Sequence, residues 1–136
     1  MSVVLGALLE HADVLRSLEG EPEVGSSRLL WIEVSRFIYR SLQTARLDPI
    51  TATEVRHDFA HVAGGIHQIQ LLEQVLRRAS GPYPLNIRTL DAIHLASAEL
   101  WLGEDAPSNV AMWSYDKQMN LCAAQLGFTT PLLTTA

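Results

Sequence analysis

The pattern of apolar and polar positions predicts helices alternating with short strands along most of the chain. In segment 88–102, Leu90, Ile93 and Leu102 recur at helical spacing, and frequent alanine favours a helix. The same criterion predicts five further helices, at 5–19, 27–45, 51–62, 72–79 and 117–126. Alternating or short apolar runs predict strands at 66–71 and 110–114 and an edge strand in 128–133.

Turn and cap residues divide these segments. Ser27 is placed to cap the second helix, and residues 24–27 are short enough to end a strand. Asp48-Pro49 breaks the chain before a helix that we expect to open at Thr51. Because strand and helix alternate in the later part, the sequence predicts an α/β fold with a mainly parallel sheet. We expect one domain, residues 1–136.

Composition narrows the class of protein. A length of 136 residues and a hydrophobic content of 48% are enough for a real core. No apolar run reaches membrane-spanning length and the N-terminus lacks a basic region, so we expect no membrane span, no signal peptide and a cytoplasmic location. Cys122 is the only cysteine, which excludes an intrachain disulfide and a cysteine-rich zinc site.

The net charge of −5 argues against general nucleic-acid binding through a basic surface. The net charge does not exclude a nuclease, because a bound divalent metal would supply local positive charge. Four cations, Arg36, Arg40, Arg88 and Lys117, are candidate phosphate contacts, since a phosphate chain needs cations near such a metal. The alternative for each is a solvated helix face or an ordinary salt bridge.

Three acidic residues occupy unusual positions. Glu33 and Asp91 lie on or beside apolar helix faces, where a buried carboxylate needs a partner, and Asp116 directly follows a predicted strand. Each has an ordinary explanation: a salt bridge from Glu33 to Arg36, the helix dipole for Asp91, and helix capping for Asp116. If the three converge, their oxygens favour Mg²⁺ or Mn²⁺, and such a site supports phosphodiester hydrolysis.

The histidines offer a second, weaker metal hypothesis. His57 and His61 are four residues apart on one predicted helix, a spacing that can place two imidazoles on one metal. They do not form the H-E-x-x-H pattern of zinc proteases. His94, one turn after Asp91, is typical of a histidine that packs in a core.

Three segments together resemble the PIN-domain family, and most closely the VapC-type toxins of bacterial toxin–antitoxin pairs. They are SRLLWIEVSR at 27–36, LDAIHLASA at 90–98, and WSYDKQM at 113–119 running on to AAQLG at 123–127. Their order and spacing match the family over roughly residues 5–131. The resemblance implies a three-layer α/β/α sandwich and a Mg²⁺- or Mn²⁺-dependent endoribonuclease that cleaves RNA.

The resemblance also implies roles for particular residues. The family's acidic catalytic and metal-binding residues map onto Glu33, Asp91 and Asp116, and an accessory polar residue maps onto Ser114. Members of the family usually form homodimers. They are held inactive by an antitoxin protein, which typically inserts a segment, often with an arginine, into the acidic pocket.

One family feature is missing. The family pattern begins with a strand that ends in Asp followed by Ser or Thr, and here Gly6 follows the candidate strand Ser2–Leu5. Either Gly6 replaces that Asp, or the chain begins after the strand; Asp13 is a poor substitute ligand. With this strand missing or degenerate, we expect a second chain to cover the gap or the isolated chain to be marginally stable.

Two other functions follow from that departure. One is a catalytically impaired PIN-like protein that acts by binding an antitoxin or RNA. The other is a regulatory interaction module with no acidic pocket, in which Glu33 pairs with Arg36 and both Asp residues act at helix ends.

Overall fold

The computed structural model describes residues 23–133, and these form a mixed α/β structure, as predicted. In chain order the elements are β1 (Gly25–Ser27), α1 (Leu29–Gln43), α2 (Pro49–Ala63), β2 (His67–Ile69), α3 (Glu73–Ala79), α4 (Thr89–Leu102), a 3₁₀ turn (Pro107–Asn109) and α5 (Lys117–Gln125). The strands β1 and β2 pair in parallel. None of the helices within residues 23–133 is long and apolar enough to cross a membrane. The helix predicted at 5–19, the strand at 2–5, Gly6 and Asp13 lie outside the described residues.

The described chain divides into two compact units. One contains residues 23–24 and 29–67, and the other contains residues 25–28 and 68–133. We call them the helical unit and the mixed unit.

In the helical unit, α1 packs on α2 through one apolar face from each helix. Leu30, Val34 and Ile38 are buried on α1, and Ala52, Val55 and Phe59 are buried on α2. The Trp31 and Phe59 rings meet edge to face with centroids 6.0 Å apart, a favourable aromatic geometry.

Helix α2 begins two residues earlier than predicted. Proline fits the first turn of a helix because that position makes no intrahelical N–H bond, so Pro49 opens the helix instead of breaking the chain. Asp48 caps it, with Oδ1 accepting from the Thr51 N–H at 2.7 Å. This hydrogen bond stabilises the charged carboxylate and lowers the pKa of Asp48.

The core of the mixed unit is formed mainly by α4 and α5. Leu95 and Ala98 of α4 pack with Met119, Cys122 and Ala123 of α5 and with Phe128. On another face of α4, the Trp101 ring lies against the backbone of β1, where a side chain on Gly25 would approach it to 3.1 Å. Glycine at position 25 therefore lets the strand pack closely on this helix.

The strands are shorter than the sequence predicts. Strand 66–71 is reduced to His67–Ile69, and segments 110–114 and 128–133 meet only at one parallel bridge between Ala111 and Thr129. Pro131 has no N–H to extend that pairing. The assignment of Ser27 as a helix cap is wrong: Ser27 is the last residue of β1, and α1 begins at Leu29.

A polar cluster holds the loop that leads into α4. The Tyr83 hydroxyl has one proton and two acceptors within reach, Glu99 Oε1 at 3.2 Å and the Ala92 carbonyl at 3.3 Å. The Arg78 guanidinium lies 3.9 Å from the Tyr83 ring centroid, and its Nε is 3.2 Å from Glu99 Oε1. It also donates from Nη1 to the Pro82 carbonyl at 2.7 Å, so one arginine fixes the loop to both flanking helices.

Burial of the phenol, helped by the nearby Glu99 carboxylate, raises the pKa of Tyr83 above its ordinary value of 10.0. The unfolded chain then loses this proton first, so the stabilisation is complete below pH 10.0 and is lost as pH rises beyond it. We predict that Tyr83→Phe lowers the free energy of unfolding by about 1 kcal/mol at neutral pH through the lost hydrogen bonds. Its stability should also fall less than that of the wild type between about pH 8 and about pH 11.

Urea unfolding at both pH values measures these two effects. Tyr39→Phe, which alters an exposed ring on α1, is the matched control and should have the smaller effect at neutral pH. An identical loss of stability with pH in the wild type and Tyr83→Phe would contradict the role given to the buried phenol.

Candidate functional site

Two of the three predicted acidic residues share a single cation in the mixed unit. Arg88 Nε donates to Asp91 Oδ2 at 3.3 Å, and Arg88 Nη2 donates to Asp116 Oδ2 at 3.0 Å. Asp91 and Asp116 are 25 positions apart in sequence. The structure therefore brings their carboxylates to one point, which we call the acidic pair.

The acidic pair lies where two helices begin. Arg88 is the last extended residue before α4, and Asp91 is in the first turn, where negative charge complements the helix dipole. The side chain of Asp91 is only 15% exposed, whereas that of Arg88 is 73% exposed. A carboxylate beside an apolar face requires a partner. For Asp91 this partner is Arg88, a solvent-facing arginine one turn away.

The second member of the pair caps α5, as the capping explanation predicted. Asp116 Oδ1 accepts from the Met119 N–H at 2.8 Å, which leaves Oδ2 for Arg88. Its side chain is 30% exposed. The two carboxylates, and the hydrogen bond to Asp91 above all, raise the pKa of Arg88, so the guanidinium stays charged.

Ser114, the predicted accessory residue, positions Asp116. Its hydroxyl accepts from the Asp116 N–H at 3.0 Å, and its carbonyl accepts from Asn120 Nδ2 at 2.8 Å. Both Ser114 and Asn120 are buried. Asn120 Oδ1 has no hydrogen-bond partner within residues 23–133. Sequence reasoning missed Asn120, although its place one turn after a capping Asp was visible.

A second polar contact joins α4 to β1. Ser27 Oγ and His94 Nδ1 are hydrogen-bonded at 2.9 Å. Ser27 is 2% exposed, so this hydroxyl is closed to a substrate and the contact holds the strand end on the helix. No local sequence pattern indicates this contact, because the two residues are 67 positions apart.

The remaining predicted residues are distributed over both units. Glu33, half-buried, and Arg36, exposed, lie on α1 in the helical unit. Lys117 is exposed at the first position of α5, next to Asp116. His57 and His61 are exposed on α2. In the part of the chain that the structure describes, no group of three or more His, Cys, Asp or Glu side chains is arranged to hold a metal ion.

The oxygen atoms of the acidic pair are of the type that a hard cation takes, although two carboxylates bridged by an arginine are not by themselves a metal site. Two carboxylate oxygens already lie within hydrogen-bond reach of one positive group, and Mg²⁺ is usually bound by one or two carboxylates with water completing its shell. Asp91 and Asp116 are therefore the residues that would hold such an ion in the mixed unit.

A concave surface lies beside the start of α4. It encloses about 710 Å³ and is lined by residues of α3, the loop and α4 that include Leu76, Tyr83, Asn86, Thr89 and Ile93. The lining mixes apolar side chains with amide and hydroxyl groups.

Comparison of the chain with protein-family models, with curated proteins and with solved structures found no match.

Capping and charge at Asp116 can be separated by two substitutions. Asparagine is as good a cap as aspartate, so Asp116→Asn should keep the Met119 contact and unfold within about 0.5 kcal/mol of the wild type. Asp116→Ala removes the cap and should cost about 1 kcal/mol. Chemical denaturation of the two variants measures the difference. Equal destabilisation by Asn and Ala would show that Arg88, not capping, sets the stability of this turn.

Proposed function

We propose that this protein is a Mg²⁺- or Mn²⁺-dependent endoribonuclease of the PIN-like type, the toxin of a toxin–antitoxin pair. The observation that carries the proposal is the meeting of Asp91 and Asp116 at one cation. Sequence spacing alone left each of them with an ordinary role, as a first-turn acid and as a cap. The proposal is supported by their chemistry, because carboxylate oxygens are the ligands that a hard metal ion takes.

Glu33 enters the proposal through the resemblance of segment 27–36 to the family. Its side chain is half-buried on α1, in the helical unit. The fold proposed together with this assignment is a three-layer α/β/α sandwich. The mixed helices and strands of the described residues are compatible with it.

Each residue of the proposed site has a different role in the proposed reaction. The ion would supply a Lewis acid that activates water and stabilises charge on the phosphate. Asp91 and Asp116 would bind it, Ser114 holds the Asp116 backbone in place, and Glu33 is the third acidic residue that the family resemblance implies. The resemblance and the charge of Arg36, Arg88 and Lys117 make these residues the proposed contacts for RNA phosphates.

The partners in the proposal are RNA, a cognate antitoxin protein and a second copy of the chain, acting in the cytoplasm. An antitoxin arginine that enters the pocket would meet the same two carboxylates that Arg88 now contacts. The acidic pair thus already accepts a guanidinium group, which is the chemistry such an antitoxin would use.

One observation favours the alternative, a catalytically impaired protein that binds an antitoxin or RNA. The Arg88 guanidinium neutralises both carboxylates of the pair, and it would oppose a divalent cation there. RNA binding without Mn²⁺-dependent cleavage would identify this second function.

We predict Mn²⁺-dependent cleavage of a structured RNA by the wild-type chain. Glu33→Gln, Asp91→Asn and Asp116→Asn should each reduce the rate by about 100-fold or more, because even outer-shell partners of a metal are worth about 10–100-fold. Gel analysis of the RNA fragments at increasing Mn²⁺ measures the rate. Asp58→Asn, an exposed acid on α2, is the matched control and should cleave like the wild type.

The variants also test whether the observed cleavage comes from this site. Cleavage that persists unchanged in Asp91→Asn and Asp116→Asn would come from a contaminating nuclease or another site, and it would contradict the proposal.

A further inference from the structure

The two helices of the helical unit present an exposed aromatic ring among arginines. Tyr39 of α1 is 54% exposed. The Arg56 guanidinium of α2 lies 5.2 Å from the centre of the Tyr39 ring, within the range of a cation–π contact. Arg36 and Arg40, also on α1, are both exposed. We call Arg36, Tyr39, Arg40 and Arg56 the basic aromatic surface.

The arginines of this surface form no salt bridge with a carboxylate within residues 23–133. The salt bridges of the described residues all lie in the mixed unit. Side chains three and four residues apart on a helix lie side by side, so Arg36 neighbours both Tyr39 and Arg40. Like charges at this spacing repel each other, and an anion placed between them would relieve that repulsion.

The combination of an exposed ring with unpaired guanidinium groups matches the chemistry of a single-stranded nucleic acid. Each nucleotide offers a phosphate, which arginine binds through its fork of N–H donors, and a flat base that stacks on aromatic rings and arginine planes. An acidic protein segment would use the arginines but not the ring. Because the whole chain has a net charge of −5, the attraction of a polyanion to this surface is local.

We propose that the basic aromatic surface binds single-stranded RNA. Tyr39 and Arg56 stack an unpaired base, and Arg36 and Arg40 contact the flanking phosphates. The inference deepens the proposed function and rests on it for the choice of RNA. It assigns to the helical unit an RNA contact that needs neither the acidic pair nor a metal ion, so RNA binding and RNA cleavage should be separable by substitution.

Fluorescence anisotropy of a short labelled RNA, with EDTA present to stop metal-dependent cleavage, measures this binding. Tyr39→Ala should weaken it by about 5-fold or more, because the substitution removes the ring on which a base stacks. Tyr39→Phe keeps the ring and should stay within about 2-fold of the wild type. Annealing the RNA to its complement should also weaken binding, because paired bases cannot reach the ring.

The salt dependence of the affinity tests the phosphate contacts. Arg36→Gln and Arg40→Gln should each reduce the slope of log affinity against log salt by about 0.7, the value for one phosphate of a single strand. Arg77→Gln is the matched control, because it removes the same charge from an exposed arginine that is paired with Glu73 on α3. It should leave both affinity and slope unchanged. Melting temperatures close to that of the wild type would show that these surface variants are folded.

The outcomes separate this inference from the function on which it rests. Equal RNA affinity in the wild type, Tyr39→Ala and Arg56→Gln, or no RNA binding by the wild type, would overturn the basic aromatic surface. Metal-dependent cleavage that is lost in Asp91→Asn would still support the nuclease in that case. Binding that depends on Tyr39 and the arginines, without any cleavage, would support the surface and contradict the nuclease.

A third result would identify a different partner. If Arg36→Gln and Arg40→Gln bind RNA less tightly while Tyr39→Ala binds like the wild type, the surface recognises negative charge alone. An acidic protein segment would then fit it as well as RNA does, and the inference fails.

Discussion

Arg88 forms ion pairs with two helix starts that are far apart in sequence. Its guanidinium meets Asp91 in the first turn of α4 and Asp116 at the cap of α5, with donor–acceptor distances of 3.3 and 3.0 Å. Two negative charges at one point repel each other, and a cation between them removes that repulsion. The arrangement of the acidic pair therefore depends on the positive charge that Arg88 supplies.

The rest of the mixed unit fixes the geometry of that point. The apolar contacts of Leu95, Cys122 and Phe128 set α4 against α5. The loop before α4 is held by Arg78 and Tyr83, so Arg88 begins from a defined backbone position. Ser114 and Asn120 do the same for the turn before α5. The acidic side chains are thus positioned by contacts that need no ligand.

The parts of the fold and of the site that depend on local sequence signals could be predicted from the sequence. The helical periodicity of 88–102 and 117–126 and the short strand before Leu29 correspond to observed elements. The capping role of Asp116 and the need of Asp91 for a partner follow from single-residue chemistry. That Arg88 is this partner was also within reach, because it lies three residues before Asp91, a spacing at which helical side chains meet.

The rest depends on contacts between distant segments. From the sequence, Ser27 resembles a helix cap. In the structure its hydroxyl is hydrogen-bonded to His94, which is 67 positions away. Within residues 23–133, the predicted strand 110–114 pairs at a single bridge, between Ala111 and Thr129. The hydrophobic periodicity does not reveal how far such pairing extends. The meeting of Asp91 with Asp116 belongs to this class too, since it follows from the packing of α4 on α5.

A crystal structure of the protein grown with Mn²⁺, with anomalous scattering recorded to locate the ion, would test the proposed metal site at the acidic pair. We predict an anomalous peak bound by Asp91 and Asp116. A peak elsewhere, or no peak, would contradict the proposed site.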